Sequence, residues 1–150
     1  SIMAHPKNYD VVRDINERMK MRDFWMPFAP SILYERRNDY CYNPKSIDAP
    51  YMTITFESTP RAREELRAAL HPYDFTLRPQ FVRKEWNMRY WTIIKEFEKL
   101  TGIGGILNTS FNLHGYPIVM GPKEAMHAFE NCGLEYLVLE NYLVVKKNHS

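Results

Sequence analysis

Between Trp86 and Leu107 the chain changes its hydrophobic period once, within a few residues. Trp86, Tyr90, Ile93, Ile94, Phe97 and Leu100 recur at the three- and four-residue steps of one helical face, and Gly102 stands where such a helix would be capped. Residues 103–107 follow at once as a short continuous apolar run, which at five residues reads as a buried strand. A helix delivered straight into a buried strand needs a sheet to receive both. The chain is therefore expected to be built from helices and strands packed in layers.

The remaining periodicities agree. Val11, Val12, Ile15 and Met19 give an amphipathic helix over residues 9–19, followed by an aromatic-rich segment in which Pro27 and Pro30 favour extended backbone. Residues 31–35 and 51–56 read as strands, with residues 36–48 between them as a long loop. Thr59-Pro60 is a helix start, with Ala62, Leu66, Ala69 and Leu70 as the buried stripe. Residues 75–82 alternate as a strand that Pro79 confines to an edge or a bulge. Pro122 opens a last helix with stripe Ala125, Met126 and Phe129 and a stop at Gly133, and residues 136–139 and 142–146 form a hairpin across Glu140-Asn141. The fold class expected is α/β (α+β): a mixed twisted sheet with flanking helices.

With 150 residues and 45% apolar content, the length is that of one domain. A formal charge of +2 is too small for a dedicated nucleic-acid or membrane-surface binder, so any anion site is local. The most apolar stretch, residues 136–145, is interrupted by Glu140 and Asn141, which excludes a spanning helix there. No signal-peptide pattern opens the chain, and the expected location is cytoplasmic. Cys41 and Cys132 lie far apart, without a CxxC pair or clustered His, and are expected to be reduced thiols; Cys41 reads as structural rather than nucleophilic. No metal-ligand spacing and no phosphate-binding glycine loop is present.

Three constellations could carry chemistry. Lys20 and Arg22, two apart in a segment expected to be extended, would present both cations to one side as a phosphate site requires, although surface cations at this spacing are common. Arg78, flanked by Thr76 and Gln80 on one strand face with His71 and Asp74 upstream, either lines an anion pocket or decorates a solvated face. Ser110 and Asn112 directly follow a buried strand, where ligands gather in α/β sheets, and an Asn amide offers both a donor and an acceptor to a carbamoyl or carboxylate group. The same residues could equally close an Asx or Ser turn onto Gly115.

The runs Arg22-Asp23-Phe24-Trp25-Met26-Pro27-Phe28-Ala29-Pro30-Ser31, residues 71–80, Asn108-Thr109-Ser110-Phe111-Asn112-Leu113-His114-Gly115 and Cys132-Gly133-Leu134-Glu135-Tyr136-Leu137-Val138 resemble the carboxyl-terminal domain of the nodulation-protein-U/tobramycin-type O-carbamoyltransferases. The resemblance covers essentially the whole chain in order. It implies a YrdC-like fold in which a Lys-x-Arg pair and a Ser-x-Asn pair hold ATP and a carbamoyl donor. Carried onto this chain, those pairs are Lys20 with Arg22 and Ser110 with Asn112, with Arg78 on the phosphate and Thr109 and Asn108 shaping the binding loop.

The resemblance further implies that carbamoyl-adenylate is made from carbamoyl phosphate and ATP with Mg²⁺. An amino-terminal Kae1-like domain of the same polypeptide, itself metal-binding, would then transfer the carbamoyl group to a hydroxyl acceptor. Two substitutions depart from the family pattern: Met26 stands where an arginine is usual, and Tyr116 where an acid is usual. The chain opens just after a Gly-Pro-Arg-containing segment of its relatives and is expected to be a fragment. Two other readings accompany this one. The first is a catalytically silent nucleotide- or RNA-binding scaffold, and the second a domain whose aromatic residues form a homodimer or interdomain surface.

Overall fold

The computed structural model describes residues 1–21, 23 and 26–147, and the chain packs as two compact units, one of residues 1–12 and 27–109, the other of residues 13–26 and 110–150. In the first, β1 (Ile2–Ala4), β2 (Ala29–Leu33), β3 (Gln80–Val82) and β4 (Gly105–Thr109) form a mixed sheet in the order β1-β4-β2-β3. β4 is antiparallel to both neighbours, with Ile2 opposite Thr109 and Ser31 opposite Ile106, whereas β2 and β3 run parallel with Ile32 opposite Phe81. Parallel neighbours need a long crossover. Residues 34–79 supply it and carry a 3-10 turn (Tyr34–Arg36), α2 (Arg37–Tyr40), α3 (Pro60–Glu65) and a second 3-10 turn (Arg67–Ala69).

β2 is buried along its whole length, as a strand with partners on both sides must be. It accommodates Pro30, which has no N–H to give, because β3 pairs only from Ser31 onward. Alternation along the strands then divides the core. Ile32 and Phe81 face a cluster with Tyr40, Phe56, Leu66, Leu70, Leu77 and Ile103, while Leu33, Val82 and Ile106 pack against Ile94 of α4 (Met88–Thr101).

The helix ends follow their caps. Thr59 Oγ1 accepts from Ala62 N at 3.1 Å with Pro60 in the first turn of α3, and Asn87 Oδ1 accepts from Tyr90 N at 3.1 Å to open α4. Gly102 closes α4 at φ +78°, a left-handed position that costs glycine least, and its N–H reaches Glu98 O at 2.7 Å. Gly104 has no room for a side chain, since a Cβ there would stand 2.7 Å from Arg36 Cγ. Its N–H instead donates to the hydroxyl of the fully buried Tyr40, which itself donates to Glu65 Oε2 at 2.7 Å.

Several expectations are corrected. Residues 51–56 and 75–79 are not strands but segments joined by a single antiparallel bridge, Phe56 to Leu77, because Pro79 delays the ladder until Gln80. Residues 36–48 hold α2 instead of an open loop. The buried stripe of α4 is narrower than the sequence suggests: Ile94 is its one fully buried residue, with Tyr90, Trp91 and Phe97 around it, whereas Trp86, Ile93 and Leu100 are exposed. Thr76, expected on the strand face of Arg78, lies before it and makes a turn with Asp74, whose Oδ1 accepts from Thr76 N and Oγ1 at 2.9 and 2.8 Å. Those bonds hold the Asp74 carboxyl below its ordinary range.

In the second unit, Asn16–Lys20 continue the helix α1 (Asp10–Ile15) as a π-helical turn. α5 (Pro122–Glu130) buries Ala125, Ala128 and Phe129, and β5 (Tyr136–Leu139) pairs with β6 (Tyr142–Val145) in the expected hairpin. Lys146 donates to the Cys132 carbonyl while its ammonium lies 5.0 Å from the centre of the Phe129 ring. Among the described residues no helix is long and apolar enough to cross a membrane.

Candidate functional site

At the carboxyl end of β4 the backbone leaves the ladder and the side chains of the Ser110-Phe111-Asn112 tripeptide divide. Phe111 is buried, and its carbonyl accepts from Val119 N at 3.0 Å, which pins the middle of the tripeptide. Asn112 is oriented by its own amide nitrogen, which donates to the carbonyls of Leu113 at 3.1 Å and Tyr116 at 3.0 Å. Its Oδ1 is thereby left to accept from elsewhere.

The donor is Lys20. Its ammonium reaches Asn112 Oδ1 at 2.6 Å, Ser110 O at 2.7 Å, Ser110 Oγ at 3.1 Å and Asn112 O at 3.4 Å. Ser110 Oγ also donates to Asn112 Oδ1 at 2.7 Å, which closes a ring of three side chains. Lys20 is only 6% exposed, and an ammonium so far from water has to be met by oxygens of this kind. The backbone is held too: His114 Nδ1 donates to the Lys20 carbonyl at 2.9 Å, and Met21 takes the left-handed φ of 43° that ends the π-helical turn.

Lys20 does not lie in extended chain as the two-residue spacing with Arg22 suggested, because the helix expected to stop at Met19 runs one residue further, closing in a π-helical turn at Lys20. Arg22 lies outside the described residues, as do Phe24 and Trp25. The structure brings together Lys20, Ser110 and Asn112. Thr109 and Arg78 belong to the first unit: Thr109 is the last residue of β4, opposite Ile2, and Arg78 is an exposed side chain between buried Leu77 and Pro79, making no ion pair among the described residues. Asn108, expected in the loop, is instead a buried residue of β4.

Two contributors escaped the sequence reading. His114 was one of five scattered histidines, and nothing local marks it as a partner for a carbonyl ninety-four residues away. Asn16, on the helix, donates to the Met26 carbonyl at 2.9 Å; a polar residue among Val12, Ile15 and Met19 was the available signal. Cys41 and Cys132 are free thiols, and burial pushes the Cys41 thiol up to about 12, which makes it a poor nucleophile. Among the described residues, no three His, Cys, Asp or Glu side chains converge as metal ligands.

A buried ammonium is closed by a Ser-x-Asn loop that directly follows a strand, and comparison with other proteins says what kind of domain carries it. The model of the carbamoyltransferase C-terminus family matches residues 1–146. The chain belongs to this family. An uncharacterised protein of Methanocaldococcus jannaschii is 38% identical over 98% of the chain and 24% of its own length. Nodulation protein NolNO of Sinorhizobium fredii is 36% identical over all of the chain and 22% of its own length, and nodulation protein U of Rhizobium tropici is 32% identical over 69% of the chain and 18% of its own. The chain spans about a quarter of the length of the curated relatives it matches.

Proposed function

We propose that this chain is the C-terminal, YrdC-like domain of an O-carbamoyltransferase that binds ATP and carbamoyl phosphate and forms carbamoyl-adenylate. The observation that supports this reading is the buried Lys20 ammonium bonded to Ser110 and Asn112 at the carboxyl end of β4. Atoms balance if carbamoyl phosphate is first cleaved by water to carbamate and inorganic phosphate. A carbamate oxygen then attacks the α-phosphorus of ATP, forming a P–O bond and expelling pyrophosphate. Mg²⁺ entering with ATP would screen the phosphate oxygens.

No side-chain nucleophile is required, so the protein's part is positioning and charge neutralisation. Lys20 and Arg22 would face phosphate oxygens, Arg78 would supply a further cation, Ser110 and Asn112 would orient the carbamoyl group by exchanging their present bonds to one another and to Lys20 for bonds to the ligand, and Thr109 would fix where that loop begins. The Kae1-like domain would correspond to the part of the relatives' length that lies outside the matched span, and there the carbamoyl group would pass to a hydroxyl acceptor.

The test is pyrophosphate release by the intact polypeptide with ATP, Mg²⁺ and carbamoyl phosphate. Release that requires carbamoyl phosphate and falls at least tenfold in Lys20→Met supports the reading. Salt-sensitive RNA retention with no ATP consumption would replace it with the scaffold reading.

A further inference from the structure

We propose that His114 is a positioning residue for the Lys20 site, holding the Lys20 main chain in place while the ammonium and the Ser-x-Asn loop exchange partners around it. The proposal rests on the function given above to Lys20, Ser110 and Asn112. Three alternate residues of the loop after β4 meet Lys20. Ser110 Oγ and Asn112 Oδ1 accept from its ammonium at 3.1 and 2.6 Å, whereas His114 Nδ1 lies 2.9 Å from its carbonyl. A carbonyl only accepts, so Nδ1 is the ring nitrogen that carries the proton.

His114 is itself placed by a turn. Tyr116 N donates to Leu113 O at 3.1 Å, Gly115 takes the φ of +75° that glycine adopts at least cost, and the Asn112 amide nitrogen bonds the carbonyls of Leu113 and Tyr116 at the two ends of the turn. Lys20, on the other side of the bond, ends the π-helical segment, and the last carbonyls of a helix find no partner further along it. Met21 then leaves at φ 43°, a left-handed value uncommon for a residue with a side chain. With the Lys20 carbonyl released, the chain would relax at Met21, and an ammonium on a flexible four-carbon stem would move with it.

The three contacts differ in what a ligand does to them. Ser110 and Asn112 contribute the atoms that would turn to the carbamoyl group, and Lys20 contributes the ammonium that would turn to phosphate. The His114 bond uses none of these atoms. It is therefore the contact between this loop and Lys20 that outlasts binding, and it keeps the released ammonium aimed at phosphate oxygens as charge builds on them. An interaction that matters most at that moment acts on kcat more than on KM.

The test compares His114→Leu with His114→Asn in the intact polypeptide, because the asparagine Nδ2 donates from about the place of the imidazole Nδ1. For pyrophosphate release with ATP, Mg²⁺ and carbamoyl phosphate, kcat should fall about tenfold in His114→Leu with KM for ATP within about threefold of wild type, and His114→Asn should recover most of the loss. Acetylation of lysines by acetic anhydride, read residue by residue by mass spectrometry, follows the position of Lys20 without any activity. Lys20 is 6% exposed, and its labelling should rise about tenfold in His114→Leu and stay near wild type in His114→Asn. Lys146, which donates to the Cys132 carbonyl in the same unit, should label equally in all three proteins and so report that the unit stays folded. Unchanged Lys20 labelling in His114→Leu, a rise shared with Lys146, or equal losses of kcat in both variants would overturn the positioning role. The expected labelling in a polypeptide that releases no pyrophosphate would support the grip on Lys20 and overturn the proposed function instead.

Discussion

The ammonium of Lys20 sits 2.6 Å from Asn112 Oδ1 although ninety-two residues separate them. One cation thus ties the end of a helical turn to the loop that leaves β4, and the oxygens of Ser110 and Asn112 meet it.

Lys20→Met removes the donor while leaving the oxygens of Ser110 and Asn112 in place. Ser110 is exposed and Asn112 half-buried, so water can reach part of what the ammonium leaves, and the loss is about 1 kcal/mol rather than the full cost of a buried orphan. Denaturant unfolding of the intact polypeptide should show a midpoint lowered accordingly, and an unchanged midpoint would mean that the ammonium does not hold the loop.

Asn112→Leu should be more damaging than Ser110→Ala. The asparagine amide makes bonds in both directions, to Lys20 and to the carbonyls of Leu113 and Tyr116, whereas water can stand in for the serine hydroxyl. We expect carbamoyl phosphate affinity to fall roughly tenfold or more in Asn112→Leu, by about 1.5–3 kcal/mol for a charge-assisted contact, and only a few-fold in Ser110→Ala. Calorimetry showing equal affinities for wild type and both variants would remove this loop from the site.

Arg78→Ala separates function from stability. The side chain is exposed and makes no ion pair among the described residues, so its removal should leave the melting curve in place. If it contacts phosphate, carbamoyltransfer falls roughly 10- to 100-fold. Unchanged kinetics would make it a surface residue only.

Alkaline pH should weaken the first unit. Burial and the Glu65 hydrogen bond push Tyr40 up from 10 to about 12, and burial pushes Cys41 up from 9 to about 12. Both groups are neutral when protonated, and their folded values exceed their unfolded ones. Their contribution is therefore complete below about pH 9 and is lost as pH rises toward 12. Unfolding free energy should be flat with respect to these groups between pH 7 and 8, then decline by up to about 1.4 kcal/mol per pH unit for each group in transition. A profile flat to pH 11 would show that neither group is protected.

The legible parts of the sequence were those where one local rule decides the outcome. Thr59-Pro60 opened α3 and Gly102 closed α4 because a cap depends on its nearest neighbours. The hairpin across Glu140-Asn141 was equally local. What misled was context from afar. Residues 51–56 have strand composition, yet only Phe56 finds a bridge partner, since Pro79 denies the facing segment a continuous ladder. β1, three residues long, left no period to read and exists because β4 offers it an edge. At the candidate site, the strand-end position of Ser110 and Asn112 and a helix as far as Met19 were readable, whereas the last residue of that helix, Lys20, and its π-helical form were not.

The hydroxyl of Tyr40 is shared by two segments that meet nowhere else through it: it gives its proton to Glu65 and takes one from the Gly104 amide. Replacing it with phenylalanine would orphan the Gly104 N–H and take one of its donors from the Glu65 carboxylate, which keeps Arg61 Nε at 3.0 Å, and replacing Gly104 would drive a side chain into Arg36. A change at Tyr40 is therefore felt at once at the end of α3 and at the start of β4, so a single substitution there perturbs two elements that lie far apart in sequence.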